Sequence, residues 1–162
     1  MHNREYARRI QEREQRLYRL AFCYVKHQQD ALDIVSESVY RGLTHLHQLR
    51  EPEQFDAWMD RIVVHAALYH LRKKGRVQLA DEEKMSLVPA DETALSWEES
   101  MDLYGALDLL SPEERSYILL RFFREYSFRE MSEILGQPES TVKSRLYRIL
   151  GKLRSRLTEG EE

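Results

Sequence analysis

Lys143, Arg145, Arg148, Lys152, Arg154 and Arg156 fall between Ser140 and Arg156 with no acidic residue among them. Guanidinium and ammonium groups at this density suit phosphate, and in a major groove they also donate to guanine O6 and N7. At about 100° per residue, Val142, Leu146, Ile149, Leu150 and Leu153 gather on one narrow helical face. Ser140, Lys143, Ser144, Tyr147, Arg148 and Arg154 occupy the opposite arc. The apolar face can dock the helix on its own domain. The other face carries the side chains that read DNA: Arg and Lys as donors, Ser as an adaptable partner, Tyr against thymine methyls. A merely solvated basic face is the bland alternative. It does not explain why a short helix and a glycine turn stand directly in front.

Those preceding elements have local signatures. Ser111-Pro112-Glu113-Glu114 is a helix start with Ser as N-cap, Pro at N1 and Glu at N3. It opens a helix through Ile118, Leu119 and Phe122. Ser127-Phe128-Arg129-Glu130 repeats the capping pattern and opens a short helix with Met131, Ile134 and Leu135, which Gly136 ends. A capped helix, a short helix, a glycine turn and a longer basic helix make a helix-turn-helix.

The chain has 162 residues, a net charge of −3, 42% hydrophobic and 33% charged residues, with only 6 Gly and 4 Pro. That length makes one ordinary domain or two small ones, and so little Gly and Pro predicts an all-α fold; the charge distribution favours two small helical modules. The acidic balance is concentrated rather than spread. Asp81, Glu82, Glu83, Asp91, Glu92, Glu98, Glu99 and Asp102 face only Lys84 between Gln78 and Asp102. Basic residues lie on either side, in Arg72-Lys73-Lys74-Gly75-Arg76 and in the opening stretch. The expected organisation is a module over 1–76, an acidic linker over 77–95 and a second module over 96–162, with order resuming near Ser96 through Trp97, Met101, Tyr104, Leu107 and Leu110.

In the first module, Leu17 to His27 predicts a helix with Leu17, Leu20, Ala21, Tyr24 and Val25 on one side. Asp30 is the expected N-cap of the next, with Asp33 at N3. Leu32, Val35, Val39, Leu43 and Leu46 form its apolar stripe, and Asp33, Glu37, Ser38 and Arg41 its polar face. After a break at Leu49–Glu53, a long helix is expected from about Glu53 to Arg72. It has one stripe of Phe55, Trp58, Ile62, Ala66 and Tyr69 and a second of Val64, Leu68 and Leu71. A helix apolar on two sides is sandwiched or offers one side to a partner. For Phe55 and Trp58, packing in the core is the preferred reading.

Catalysis is not indicated. His45 and His47, two apart on a helix, point to different sides, and His65 and His70 are five apart. No HExxH, CxxC, P-loop or dinucleotide signature is present. No cofactor or metal is expected. The lone Cys23 cannot form an internal disulfide, and the N-terminal stretch has no apolar leader core, so a reduced cytoplasmic location without membrane insertion is expected. Two other classes remain: a stand-alone helix-turn-helix regulator, which would shift DNA by itself, and a helical adaptor that never touches DNA.

Leu110-Ser-Pro-Glu-Glu-Arg115, Arg121-Phe-Phe, Ser127-Phe-Arg-Glu-Met-Ser-Glu-Ile-Leu-Gly136 and Thr141-Val-Lys-Ser-Arg-Leu-Tyr-Arg148 resemble region 4 of an extracytoplasmic-function (ECF) sigma factor. Leu17-Tyr-Arg-Leu-Ala-Phe22, Asp30-Ala-Leu-Asp-Ile-Val-Ser-Glu-Ser38 and Phe55-Asp-Ala-Trp-Met-Asp-Arg-Ile62, closing in His70-Leu-Arg-Lys-Lys74, resemble region 2. The resemblance covers roughly Leu17 to Leu157 and implies a three-to-four-helix bundle followed by a helix-turn-helix. It implies core RNA polymerase and promoter DNA as partners.

By the same resemblance, Asp33, Ser36, Glu37, Tyr40 and Arg41 meet the β′ clamp helices, and the second module meets the β flap. The long helix and the loop Leu49–Gln54, with Arg50, Gln54, Arg61, His65, Tyr69 and Arg72, open the −10 element and capture a flipped base. Lys143, Ser144, Tyr147 and Arg148 read the −35 element, and the acidic linker threads toward the polymerase cleft. An anti-sigma factor, often membrane-anchored, occludes both modules. Three positions depart from the family pattern: Ser36 stands for the usual Gln, His65 for Asn and Tyr69 for Asp.

Overall fold

The computed structural model describes residues 1–80 and 105–159, with side chains over 1–75 and 105–156. Among these residues all regular structure is helical. The chain divides into two compact units, Met1–Thr93 and Ala94–Glu162.

The first unit opens with α1 (Asn3–Glu12), an element the sequence reading did not assign. Its only apolar anchors of any size are Tyr6 and Ile10, four apart in a charged stretch, and both are buried. The basic residues around them are spent on ion pairs. Arg8 reaches Glu12 at 2.9 Å, Arg9 reaches Glu5 at 2.9 Å, and Arg13 pairs with Asp56. Helix α2 (Glu14–Val25) starts three residues before the expected Leu17 and buries Leu17, Leu20, Ala21, Phe22, Cys23 and Tyr24. It stops where Lys26 takes a left-handed conformation, φ 50°.

Helix α3 (Gln28–Thr44) is capped by His27 and not by Asp30. The His27 Nδ1 accepts the Asp30 amide at 3.2 Å, so the ring does the work of an Asn or Ser oxygen, and Asp30 falls inside the first turn. The buried face of α3 is also turned from its expected position. Ala31, Ile34, Ser38 and Gly42 are buried, whereas Leu32 and Leu43 are exposed. Small residues win the inner face because they let the neighbouring helices approach. Ser38, expected outside, is satisfied there by donating to the Ile34 carbonyl at 2.7 Å. Of the expected stripe only Leu46 is buried, with Val35 and Val39 partly covered.

Two single 3₁₀ turns, Leu46–Gln48 and Pro52–Gln54, lead into α4 (Phe55–Ala80). This helix passes the expected end at Arg72 and takes in residues 77–80 of the expected linker. Gly75 keeps helical geometry; among the described glycines only Gly136 has positive φ. Residues 81–95 of that linker, its acidic run and the helix start at Ser96 lie outside the described residues. Phe55, Met59, Val63, Val64, Ala66 and Ala67 are the buried side of α4. Asp60 is buried too, its carboxylate held by the Arg16 guanidinium of α2 at 3.2 Å.

In the second unit, a helical turn over 105–108 brings Leu107 into the core, where Leu110 joins it. Helix α5 (Pro112–Ile118) has the capping box its sequence announced: the Glu114 amide donates to Ser111 Oγ at 3.2 Å and the Ser111 amide to Glu114 Oε1 at 2.9 Å. It runs into a π turn at Leu119–Phe123, closed by the Arg124 amide on the Leu119 carbonyl at 2.9 Å. The extra residue in that turn re-aims the side chains beyond it. Leu119 and Leu120 are fully buried, whereas Phe122 is 55% exposed.

Helix α6 (Phe128–Leu135) carries the second capping box, on Ser127 and Glu130, and ends at Gly136 with φ 66°. Helix α7 (Glu139–Glu159) begins after Pro138 and buries Val142, Leu146 and Ile149 against α5 and α6.

Candidate nucleic-acid interfaces and the family they define

Helix α7 sorts its residues as the periodicity predicts. Lys143, Ser144, Tyr147 and Arg148 are all exposed, opposite buried Val142, Leu146 and Ile149, and Tyr147 stands 61% exposed. They lie in the second and third turns, the part of a helix-turn-helix reading helix that reaches base edges. Not every cation of the run faces outward. Lys152 binds Glu114 of α5 at 2.8 Å, and Arg145 donates to the Tyr117 hydroxyl at 3.3 Å. Tyr117 in turn donates to Gln137 in the glycine turn. Lys143 stands 5.4 Å from the Phe128 ring, over which Arg121 packs at 4.3 Å. Partial burial disfavours the Glu114 charge, but its bonds from Lys152 and Ser111 outweigh that and hold its carboxyl below the ordinary range.

In the first unit Arg61, His65, Tyr69 and Arg72 descend one exposed side of α4, and Arg50 and Gln54 are exposed on the approach to it. A cleft of about 390 Å³ opens beside the upper part of this row. Its lining joins Trp58, Arg61, Ile62 and His65 of α4 to Arg41, His45 and Gln48. Arg61 and His65 are thus brought together, while Arg50, Gln54, Tyr69 and Arg72 are not among the lining residues. His45 and Gln48 escaped the sequence reading because they come from the end of α3 and the turn after it, which the periodicity of α4 does not reach. Trp58, Ile62 and His65 follow a helical spacing that does mark their shared side. His45 and His47, expected to diverge, stack with ring centroids 6.3 Å apart because α3 ends at Thr44. Among the described residues no group of His, Cys, Asp or Glu is arranged to hold a metal ion.

On α3, Asp33, Ser36, Glu37, Tyr40 and Arg41 share an exposed side. Glu37 and Arg41 pair at 2.8 Å, and Gln29 donates to Asp33 at 3.0 Å. Leu32 and Leu43 join Tyr40, itself 68% exposed, so this surface is part apolar and part charged. The sequence reading missed Leu32 and Leu43 here by placing them in the core. At the first turn of α3, the Asp30 carboxylate meets His27, His70 and Lys74, with Lys74 at 3.2 Å. Burial raises the Asp30 carboxyl, and the Lys74 bond and charge, with the two imidazoles, lower it further to a net position below its ordinary value.

Residues 9–77 match the family described as Sigma-70 region 2, and residues 100–153 match Sigma-70, region 4. The chain is 39% identical over 150 residues to RNA polymerase sigma factor SigV of Bacillus subtilis, covering 93% of this chain and 89% of that protein. This chain belongs to the sigma-70 family, as a sigma factor of the ECF type. It is also 31% identical to ECF RNA polymerase sigma factor SigE of Mycolicibacterium smegmatis, covering 93% of this chain and 60% of that one. Its fold resembles that of sigma factor RpoE in complex with the anti-sigma factor NepR from Bartonella quintana, with TM-score 0.74, 22% identity and coverage of 95% and 97%. It likewise resembles CnrH in complex with the cytosolic domain of CnrY, with TM-score 0.68, 20% identity and coverage of 98% and 90%. The sigma factor binds core RNA polymerase and directs initiation at specific promoters. No described helix is long and apolar enough to cross a membrane.

Proposed function

We propose that promoter reading is divided between the two units. The observation that carries this is the exposed row Lys143, Ser144, Tyr147 and Arg148, set opposite a buried apolar stripe on the helix after a glycine turn. That row reads the −35 element. In the first unit Arg50, Gln54, Arg61, His65, Tyr69 and Arg72 engage the −10 element as it opens. The cleft between α4 and the turn after α3 takes an unstacked base, with Trp58 and Ile62 as its apolar wall and His65, Gln48 and His45 offering donors and acceptors to the base edge. Unpairing costs a few kcal/mol, and stacking returns about 1–3 kcal/mol per base.

The Asp33, Ser36, Glu37, Tyr40 and Arg41 side of α3, with Leu32 and Leu43, is the surface for the β′ clamp helices, and the second unit meets the β flap. The acidic segment between the units threads toward the polymerase cleft. The protein acts in the cytoplasm without catalytic chemistry of its own. An anti-sigma factor, membrane-anchored, holds it inactive by covering α3 and the outer side of α5. The sigma factor RpoE, of similar fold and solved with the anti-sigma factor NepR, supports control by an anti-sigma factor.

Run-off transcription with purified core polymerase on a genomic fragment library tests the proposal. The expected result is initiation at a small set of sites sharing −35 and −10 sequences. Transcription that starts at the same places with and without this chain would overturn it.

A further inference from the structure

We propose that Arg9 of α1 is a positioning residue for the −10 loop, an inference that rests on the proposed role of Arg50 and Gln54 at the −10 element. In the loop Leu49–Gln54 only Leu49, at its start, is partly covered; Arg50, Glu51, Pro52, Glu53 and Gln54 are all exposed, so no buried side chain fixes the end that leads into α4. Arg9 supplies a fixed point from another helix, donating through Nη1 to the Pro52 carbonyl at 2.9 Å. The guanidinium is itself oriented in advance, because Glu5 one turn earlier accepts from its Nε at 3.2 Å and its Nη2 at 2.9 Å. Directly below the loop, the buried Phe55 ring lies 5.5 Å from the Arg9 guanidinium and 5.2 Å from that of Arg13, which pairs with Asp56 in the first turn of α4.

Two cations thus stand at the N-terminal end of α4, where the helix dipole opposes positive charge. Apolar contacts alone would seat α1 without that cost. What the guanidinium adds is direction: a planar group with donors on several edges can hold Glu5 and Pro52 at once, which a point charge cannot. With Pro52 held, Gln54 is set by its own amide bond to the Glu51 carbonyl at 3.0 Å, and α4 begins at one fixed angle. Helix α1 therefore contributes to promoter reading without touching DNA.

The test compares the wild type, Arg9→Ala, Arg9→Lys and an Arg50→Ala/Gln54→Ala double variant on a promoter library randomised over the −10 element, with purified core polymerase. Amide exchange at Gln54 and Phe55 is measured in the free proteins. Arg9→Ala is expected to exchange about tenfold faster at these amides and to lose about tenfold of its −10 discrimination, while −35 preference and affinity for core polymerase stay at wild-type values. Arg9→Lys, which keeps the charge and reaches one partner, falls between, and it carries the test if Arg9→Ala melts early. Wild-type exchange in both Arg9 variants overturns the brace. Wild-type −10 discrimination in them, with the double variant impaired, overturns its positioning role. Wild-type discrimination in the double variant instead removes the −10 reading of the loop on which the role depends.

Discussion

The Tyr6 hydroxyl fills the place where residue 42 would carry a Cβ. It donates to the Val39 carbonyl of α3 at 2.6 Å, and a Cβ built on Gly42 would run into the Tyr6 hydroxyl oxygen and lie 3.0 Å from Met59 Sδ. Gly42 lies in the last turn of the 17-residue α3, where glycine costs up to about 1 kcal/mol relative to alanine, and here it makes room for the anchor of α1. Gly42→Ala is therefore expected to destabilise the protein by about 2 kcal/mol, overpacking outweighing the propensity gain. Urea unfolding measures this. The double variant Tyr6→Phe/Gly42→Ala should recover part of the loss, and additive losses would show that the hydroxyl is not the obstacle.

The same phenol gives an alkaline signature. Burial pushes Tyr6 from 10.0 up to about 12. Because the folded value is raised, its contribution is complete below pH 10, shrinks as the unfolded chain ionises above that, and is gone once pH has passed the folded value. Thermal melts from pH 9 to 12 should show stability falling across this window, and falling less steeply in Tyr6→Phe.

Promoter recognition by α7 should separate cleanly from folding. Lys143→Ala, Tyr147→Ala and Arg148→Ala change exposed residues and should leave melting temperature unchanged. Each lost base contact should cost about 1–3 kcal/mol of discrimination, and each lost phosphate contact should flatten the salt dependence. Leu146→Ala acts the other way, removing about 2–5 kcal/mol of stability from a buried site. Full −35 selectivity in the triple variant would take α7 out of promoter reading.

His65 lines the cleft at the point where the family pattern has Asn. Asn presents an acceptor and a donor from one short amide, whereas a neutral imidazole offers them from different edges of a ring. His65→Asn is expected to change which −10 base is preferred, with stability and core-polymerase binding unchanged. Sequencing transcripts from a randomised −10 library made with each protein decides the matter, since identical preferences would make His65 scaffold.

Glu125 comes directly after the π turn with φ 58°, a left-handed conformation that a side chain disfavours. Glu125→Gly should remove about 1 kcal/mol of backbone strain, part of it offset by the freer unfolded chain. A rise in urea midpoint with an unchanged slope is the expected result.

The range of the forces involved decides which features are legible in the sequence and which are hidden. The caps on Ser111 and Ser127 and the stop at Gly136 are readable because each is decided within four residues. The two faces of α7 are readable because bulky aliphatic residues mark one side. Helix α3 misleads because its inner face is built from Ala31, Ser38 and Gly42, so the larger Leu32 and Leu43 suggest the wrong side. Helix α1 is hidden because two apolar residues among charges carry too little pattern, and its stability comes from partners in α3 and α4. The π turn at Leu119–Phe123 is not legible at all, because periodicity assumes a regular helix. The exposed row of Arg61, His65, Tyr69 and Arg72 along α4 is legible, but the cleft beside it is not, since His45 and Gln48 belong to a different element.

Glu114 holds two ends at once. Its carboxylate closes the capping box that starts α5 and also receives Lys152 from the fourth turn of α7. The start of one helix and the pose of the other therefore open as a single event. Fraying at Ser111 releases the grip on the reading helix, and loosening of α7 strips a partner from the start of α5. Amide protection at the first turn of α5 and along the middle of α7 should then decay with one common free energy, so that the exposed row Lys143, Ser144, Tyr147 and Arg148 is either wholly presented or wholly lost.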